Sequence, residues 1–324
     1  MLRRVIVAVL FAGALLSQNL VLAQYPSKPV HVVVPYPAGG AVDAFARVLS
    51  QKLSDLWGQQ VVVDNRPGAS TMIGADQVAK SPPDGYTFLL TAELTLVTVP
   101  YLHEKIPYDP LKDFAPITAL VSATQALVVN PSLPVNTVKD LVALAKAKPG
   151  ELTYGSFGIG STGHLNMEML QTMTGVRFNH IPYNGAGPAM NDVIGGHIGF
   201  MFAALSIVKG NVSAGKLRMI GVGSNHRSKE FPSVPTISES GVPGFEAKSW
   251  FGLVAPAGTP PDIIKKLNQD VTKVISDPAF AAEFLAAQGL EPILGTPEQF
   301  AAFIRAESVK LGKVVKEAGI KPAK

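Results

Sequence analysis

The fold of this chain is decided by a stretch near its start, which reads Val30-His31-Val32-Val33-Val34-Pro35-Tyr36-Pro37-Ala38-Gly39-Gly40. Its first five residues are almost all apolar and β-branched, which is typical of a buried strand. The Pro- and Gly-rich part that follows predicts a tight turn. Apolar residues then recur at helical spacing, at Val42, Phe45, Ala46, Leu49 and Leu53. The stretch therefore predicts a strand–loop–helix corner.

The same pattern continues along the chain and predicts an α/β fold. Further strands are predicted at 60–64, 86–91, 126–129, 152–155, 178–181 and 217–222. Helices are predicted between them, for example at 138–148 and from about 164 to 174. Strands that alternate with helices predict βαβ units and a largely parallel sheet. The end of the chain is predicted to be helical, with helix starts at Thr259-Pro260, Asp277-Pro278 and a capping box at 296–299.

Two corners of similar sequence indicate two related lobes. Pro35-Tyr36 and Gly40 recur as Pro182-Tyr183 and Gly187, each time after an apolar strand and before a helix. The alternative is a chance recurrence, because turns use these residue types freely.

Several strand–helix corners have the chemistry of anion sites. A helix start offers unpaired N–H groups and a partial positive charge, and a glycine before it lets a ligand approach the backbone. The corners lie at 37–43, 156–164 and 184–188, with a fourth polar turn at 65–71. If two lobes face each other, the corners converge on one cleft that binds a carboxylate or phosphate. The alternative for any single corner is ordinary turn chemistry.

Length and composition indicate a folded, exported protein. The chain has 324 residues, of which 47% are hydrophobic and 16% are charged, so it can bury a large core. Residues 1–23 read as a signal peptide, with Arg3 and Arg4 before an apolar run and Ala23 at the expected cleavage point. Without that segment the charge balance is 26 positive against 24 negative, and no basic block suggests nucleic-acid binding. The chain contains no cysteine, which excludes a thiol nucleophile and a Cys-based metal site.

Motifs for cofactors, metals and catalysis are incomplete. Residues 158–163 match G-x-G-x-x-G, but the next strand ends without the acid that dinucleotide binding requires. Residues 210–217 resemble a P-loop, but Leu217 replaces the hydroxyl that would hold magnesium. The histidines show no metal-ligand spacing, so neither a metal nor a cofactor is expected. A secreted hydrolase that uses Ser156 or Ser161 with His164 remains an alternative, although no activating acid is apparent.

A series of short motifs then carries a family resemblance across nearly the whole mature chain. They include 34–40 with Asp43, Asn65-Arg66-Pro67-Gly68-Ala69, Pro83-Asp84-Gly85-Tyr86-Thr87, Pro107-Tyr108-Asp109-Pro110, Tyr154-Gly155-Ser156, Gly215-Lys216-Leu217-Arg218 and Ala255-Pro256-Ala257-Gly258-Thr259-Pro260. On these residues the chain resembles the Bug family, the periplasmic substrate-binding proteins of tripartite tricarboxylate transporters.

The resemblance implies a periplasmic-binding-protein fold, with two Rossmann-like lobes, a central ligand cleft and two crossing segments. We expect lobe 1 at 24–122 plus 249–324, lobe 2 at 123–248, and crossings near Ser122 and Lys248. It also implies a non-catalytic receptor in the periplasm, without a cofactor, which is expected to be a monomer. Its partners would be a small organic acid (a di- or tricarboxylate or an aromatic carboxylate) and the membrane subunits of the transporter. A sensor that feeds a signalling receptor is an alternative with the same fold.

The ligand-binding residues are expected at the corners and beside them. The predicted set is Tyr36, Pro37, Ala38, Gly39, Gly40, Asp43, Ser70, Thr71, Glu93, Ser156, Gly158, Ser161, Thr162, His164, Tyr183, Asn184, Gly185, Ala186 and Ala203. The family commonly carries acids at the places of Gly199 and Ala203, and an acid at the second could pair with an amine on the ligand. Ala203 cannot, which favours a plain carboxylate, aromatic acids included, over an amino acid. Glu93 would repel a carboxylate unless it contacts a polar or cationic part of the ligand.

Overall fold

The computed structural model describes residues 25–183 and 185–322. The predicted signal peptide lies outside these residues. In chain order the elements are β1 (Val30–Val34), α1 (Ala41–Trp57), β2 (Val61–Asn65), α2 (Met72–Ala79), β3 (Thr87–Ala92), α3 (Val99–Leu102), β4 (Phe114–Val129), α4 (Val138–Ala147), β5 (Thr153–Ser156), α5 (Thr162–Thr174), β6 (Asn179–Pro182), α6 (Ala186–Gly195), β7 (Phe200–Ala204), α7 (Leu205–Ser213), β8 (Arg218–Val222), β9 (Lys248–Pro256), α8 (Pro261–Ile275), α9 (Pro278–Phe280), β10 (Leu290–Pro292) and α10 (Pro297–Glu317).

The strands form one sheet system in two halves that share β4. The first half runs in the order β2-β1-β3-β9-β4 with β10 on the far side of β4, and the second runs β6-β5-β7-β4 with β8 beside β4. The prediction of a largely parallel sheet holds only for β2-β1-β3 in the first half and β6-β5-β7 in the second. β9 is antiparallel to both β3 and β4, and β4 is antiparallel to β7 and β8. A strand that returns from the other half of the molecule runs in the opposite direction to the strands that it joins, so it pairs with them antiparallel.

Strands β4 and β9 carry the chain between the two halves. The first part of β4 pairs with β9 and β10, whereas its last five residues, from Gln125 to Val129, pair with β7. β9 begins beside this point, where Lys248 pairs with Thr124. The predicted crossings near Ser122 and Lys248 lie in this region. The lobe limits themselves stay a prediction.

Each half has its own hydrophobic core. In the first half, helix α1 packs Phe45, Ala46 and Leu49 against β1 and β3, as the helical spacing of its apolar residues predicts. In the second, Tyr154 and Phe200 belong to a separate buried cluster. Burying one such side chain contributes about 1.5–3 kcal/mol, which fixes the strand–helix corners in place. None of the helices in the described part of the chain is both long and apolar enough to cross a membrane.

The helices at the end of the chain begin where the local sequence predicts, except for one that begins a residue later. Thr296 and Gln299 form the predicted capping box at the start of α10, and Asp277 caps α9 through the N–H groups of residues 279 and 280. The helix predicted to begin at Thr259-Pro260 begins one residue later, with Pro260 as its N-cap. The Thr259 hydroxyl donates to the Pro256 carbonyl at 2.7 Å, and no side chain caps this helix.

Candidate ligand-binding cleft

A cleft of about 530 Å³ lies between the two halves of the molecule. Its walls are mainly apolar, and its polar lining comes from uncharged side chains and one carboxyl group, that of Glu93. No Lys or Arg of the described residues lines it. The apolar lining residues are Tyr36, Pro37, Ala41, Val42, Ala44, Ala92, Leu94, Ala123, Phe157, Ala204, Ile207, Phe251, Phe284 and Leu290. The polar ones other than Glu93 are Gln125, Ser161, Thr162, Ser206, Ser249 and Gln288, and Gly185 also lines the cleft.

The first wall is the corner between β1 and α1. Tyr36 and Pro37 leave the strand and line the cleft, and Ala41 and Val42 line it from the first turn of the helix. The N-cap is Gly40, so no side chain caps the first N–H groups of α1. These groups, together with the helix dipole, favour an anion at this end of the cleft.

Asp43 supports this corner from behind. Its carboxylate accepts hydrogen bonds from the Gly39 N–H at 2.8 Å, from Arg47 Nε at 3.0 Å and from Asn65 Nδ2 at 2.9 Å. Burial acts to raise the pKa of Asp43, but the hydrogen bonds from Arg47, Gly39 and Asn65 outweigh it and hold the pKa below its usual value. Gly39 is in the left-handed region with φ 85°, which a turn held this tightly requires. Asp43 therefore shapes the loop, and its own oxygens are already engaged.

The second wall is the loop from Ser156 to the start of α5. Ser161 is the N-cap residue; its hydroxyl donates to the Gly158 carbonyl at 2.7 Å and accepts from the N–H of His164 at 3.5 Å. Ser161 and Thr162 both line the cleft. The hydroxyl protons of these two residues are already donated, to Gly158 and to Glu93, so this helix start offers an anion its backbone N–H groups.

The third wall is the start of α6. Gly185 is its N-cap, has a φ of 112° and lines the cleft. Tyr183 faces away from this lining and donates from its hydroxyl to Asp192 at 2.6 Å. Three helix starts, from α1, α5 and α6, therefore face one cleft. The fourth predicted turn does not join them, because the Thr71 hydroxyl accepts a hydrogen bond from Thr95 at 2.9 Å inside the first half.

Glu93 links the two halves at the floor of the cleft. It follows β3, is 6% exposed, and accepts hydrogen bonds from the Thr162 hydroxyl and, at 3.2 Å, from the Trp250 N–H. Burial raises its pKa above the usual value, against the effect of these hydrogen bonds. One carboxyl group thus connects β3, the start of α5 and the crossing strand β9.

A pair of stacked histidines lies beneath the second wall. The ring centroids of His164 and His180 are 4.0 Å apart and nearly parallel. His164 Nδ1 accepts from the Gly160 N–H at 2.9 Å, and His180 Nε2 lies 2.7 Å from Ser156 Oγ. Burial lowers the pKa of His164 to about 3, with the neighbouring His180 adding to the effect, and burial lowers the pKa of His180 to about 4. Both rings are neutral at pH 7 and hold the loop through hydrogen bonds.

Acid is expected to destabilise the protein through this pair. Because both pKa values are depressed, the unfolded chain binds more protons than the folded one below pH 6.5. The stabilisation is complete above that pH and is lost as the pH falls towards 4 and then 3, by an amount on the order of a few kcal/mol. Thermal unfolding between pH 7 and 4 measures the loss. His180→Gln, which cannot take up the proton, should flatten the curve, and an unchanged slope would contradict this assignment.

The predicted site residues divide into those that line the cleft and those that do not. Tyr36, Pro37, Glu93, Ser161, Thr162 and Gly185 line it. Asn184 lies outside the described residues. The predicted residues that do not line the cleft are Ala38, Gly39, Gly40, Asp43, Ser70, Thr71, Ser156, Gly158, His164, Tyr183, Ala186 and Ala203. Direct contact of any of them with a ligand stays a prediction.

Ala203 does not lie where the sequence suggested. It is fully buried in a hydrophobic cluster with Ala126 and Val128, and its neighbour Ala204 lines the cleft instead. Successive side chains of a strand point to opposite faces, so the prediction is displaced by one position. The argument from Ala203 against an amine on the ligand therefore has no support in this structure.

The sequence reasoning missed the floor of the cleft. Gln125 on β4, and Ser249 and Phe251 on β9, line it where the chain crosses between the halves. The expected crossings near Ser122 and Lys248 were the available signal, because residues beside a crossing lie between two lobes. Phe284 and Leu290 come from the C-terminal part of the chain, and nothing in the local pattern marked them.

The described residues hold no group of three or more His, Asp or Glu side chains that could bind a metal ion. The helix starts that face the cleft and its apolar walls give it the means to hold an anion with an apolar body, chiefly through backbone donors.

Known proteins resemble this chain over almost its whole length. The family model described as "Tripartite tricarboxylate transporter family receptor", TctC, matches residues 45–320. Protein BugT of Bordetella pertussis is 39% identical over 317 residues, which cover 98% of this chain and 97% of BugT.

Solved structures share its architecture. The R. palustris protein Rpa4515 with adipate is 38% identical and superposes with a TM-score of 0.83, covering 92% of this chain and 100% of that one. MatC from Rhodopseudomonas palustris with bound malate is 28% identical with a TM-score of 0.77, covering 90% and 100%. The expected fold is confirmed: two α/β lobes with crossing segments and a cleft between them. The chain belongs to the TctC family of tripartite tricarboxylate transporter receptors, to which the Bug proteins also belong.

Proposed function

We propose that this protein is a non-catalytic periplasmic receptor that captures a small organic carboxylate for the membrane subunits of a tripartite tricarboxylate-type transporter. The observation that carries the proposal is the convergence of three helix starts on one apolar cleft. Unpaired N–H groups at helix starts favour an anion, and the absence of Lys and Arg from the described lining makes the backbone the main donor. A receptor that must release its ligand is well served by such moderate donors.

The walls indicate what kind of carboxylate fits. Phe157, Phe251, Phe284 and Leu290 line the cavity together with further apolar residues, so the ligand should bury an aliphatic or aromatic body. The relatives support this range, since one was solved with adipate and another with malate. A six-carbon dicarboxylate or an aromatic acid would use the apolar walls, and a shorter acid would leave part of them uncovered.

The geometry disfavours the hydrolase alternative. Ser156 is fully buried, and its hydroxyl pairs with His180 instead of His164. No carboxylate among the described residues hydrogen-bonds to His180, so the ring lacks the orienting acid of a triad. Ser161 donates to the Gly158 carbonyl, and His164 Nδ1 is engaged by a backbone N–H. The proposed receptor therefore binds its ligand and leaves it unchanged.

A ligand screen tests the proposal. Thermal unfolding with mono-, di- and tricarboxylates should show one or a few acids that raise the midpoint by several degrees, followed by calorimetry for the dissociation constant. Neutral esters of the same acids serve as controls and should have no effect. No stabilisation by any acid, or turnover of an ester or amide, would contradict the proposal. Ligand-dependent binding to purified transporter membrane subunits would distinguish a transport receptor from a sensor.

A further inference from the structure

Gln125 lies at the floor of the cleft, and one polar atom of its side chain lacks a hydrogen-bond partner among the described residues. It is 2% exposed and lies on β4 where the strand passes from one half of the molecule to the other. Its Nε2 donates to the Ala123 carbonyl at 3.5 Å and lies 3.3 Å from Ser249 Oγ. Its Oε1 has no hydrogen-bond partner among the described residues. A buried polar atom without a partner costs about 1–3 kcal/mol, so the position favours a ligand that satisfies it.

The orientation of the Gln125 amide follows from its neighbours. The Ala123 carbonyl can only accept a hydrogen bond, so the nitrogen must face it. The free atom is therefore the oxygen, which is an acceptor. The two oxygens of Glu93, the acid that also lines the cleft, already accept one hydrogen bond each, from the Thr162 hydroxyl and the Trp250 N–H.

Ser249 lies beside Gln125 and can donate a hydrogen bond to a ligand, whereas Gln125 Oε1 can only accept one. Its oxygen takes the hydrogen bond from Gln125 Nε2, which leaves the hydroxyl proton to be donated. Both side chains line the cleft. A single ligand group can therefore donate to Gln125 and accept from Ser249 at the same time.

A hydroxyl is the ligand group that matches this pair. An ammonium group can donate to Gln125 but cannot accept, so it would leave the hydroxyl proton of Ser249 without a partner. A second carboxylate can accept but would face the lone pairs of Gln125 Oε1. On the basis of the proposed function, we propose that Gln125 and Ser249 make the cleft selective for hydroxy-substituted carboxylates over the same acids without the hydroxyl.

Matched pairs of acids test the proposal by calorimetry: succinate and malate, adipate and β-hydroxyadipate, phenylacetate and mandelate, benzoate and para-hydroxybenzoate. For the pair that binds best, the hydroxylated member should bind roughly 10–100-fold more tightly, the range that a satisfied buried acceptor provides. Gln125→Met keeps the length of the side chain and removes the amide, and should reduce the preference to less than about threefold. Gln125→Glu keeps an oxygen acceptor and should retain a preference for the hydroxylated acid.

Gln77→Met makes the same replacement on the exposed face of α2, outside the cleft, and should leave both affinities unchanged. Thermal unfolding without ligand shows whether each variant is folded. If the wild type binds both members of every pair equally, or if Gln125→Met keeps the full preference, the inference is overturned while the receptor function stands. If no acid in the panel binds, the proposed function fails as well.

Discussion

Replacing Ala41 with glutamate is expected to weaken carboxylate binding by at least about 100-fold while the protein stays folded. Ala41 is the first residue of α1, is exposed and lines the cleft. An acid in the first turn stabilises a helix by about 0.3–1 kcal/mol, so folding should not suffer. The same charge faces a bound carboxylate, and two like charges about 4 Å apart repel by about 4 kcal/mol in a partly solvated site. Calorimetry with the best ligand of the screen measures the loss.

Ala41→Gln is the matched control for this variant. The side chain has the same size without the charge, so we expect a loss of less than about tenfold. The difference between the two variants should shrink at high salt, because ions screen exposed charges. If both variants weaken binding equally, the effect is steric. If Ala41→Glu binds as tightly as the wild type, the anion does not sit at the start of α1.

Replacing Gly160 with alanine is expected to reduce affinity by roughly 30–100-fold by keeping the two halves apart. Gly160 has a φ of 75°, and a Cβ there would overlap Leu102 Cδ1 and lie 3.0 Å from its Cγ. Leu102 is buried against Leu165 and Val314, so it cannot easily move aside. A ligand held between the two halves binds only those molecules in which the halves meet, here called closed. Its affinity falls in proportion to the fraction of closed molecules, and about 2–3 kcal/mol of strain accounts for the expected loss.

The expected loss of affinity has two causes, the clash with Leu102 and the left-handed backbone of the new alanine, and shortening Leu102 separates them. In a Gly160→Ala, Leu102→Ala double variant the clash is removed, while the cost of a left-handed alanine, about 1 kcal/mol, remains. We expect affinity to return to within about tenfold of the wild type. Small-angle scattering should show a more open Gly160→Ala protein and a compact double variant. Equal affinities of the two variants would mean that closure does not depend on the contact between Gly160 and Leu102.

The strand–helix corners could be predicted because their signals are local. Burial of Phe45 and Leu49 follows from a helical period, and the turn at 35–40 follows from Pro and Gly. The helical run predicted from about 164 locates α5, which begins two residues earlier, at Thr162. Each of these patterns spans fewer than about twenty residues. The resemblance to a known family came from the same short motifs, and the family match confirms it.

The central strands could not be predicted in the same way. The first part of β4 contains Pro116 and has register shifts near Pro116 and after Ala119, so it lacks a regular strand pattern. It is a strand because β9 and β10 pair with it from distant parts of the chain. The prediction for β7 was likewise one residue off, since Ala204 and not Ala203 lines the cleft. Alternation alone does not say which face of a strand meets the cleft.

The sequence by itself determined the alternation of strands and helices, the helix starts that can hold an anion, and the membership of a receptor family. Only the tertiary structure decided that Gln125, Ser249 and Phe251 meet at the floor of the cleft, and that Asp43 and His164 support the walls from behind. The physical reason is the range of the forces involved. Caps, turns and periodicity act between residues a few positions apart, whereas the cleft is formed where β4 and β9, more than 100 residues apart in the chain, lie side by side.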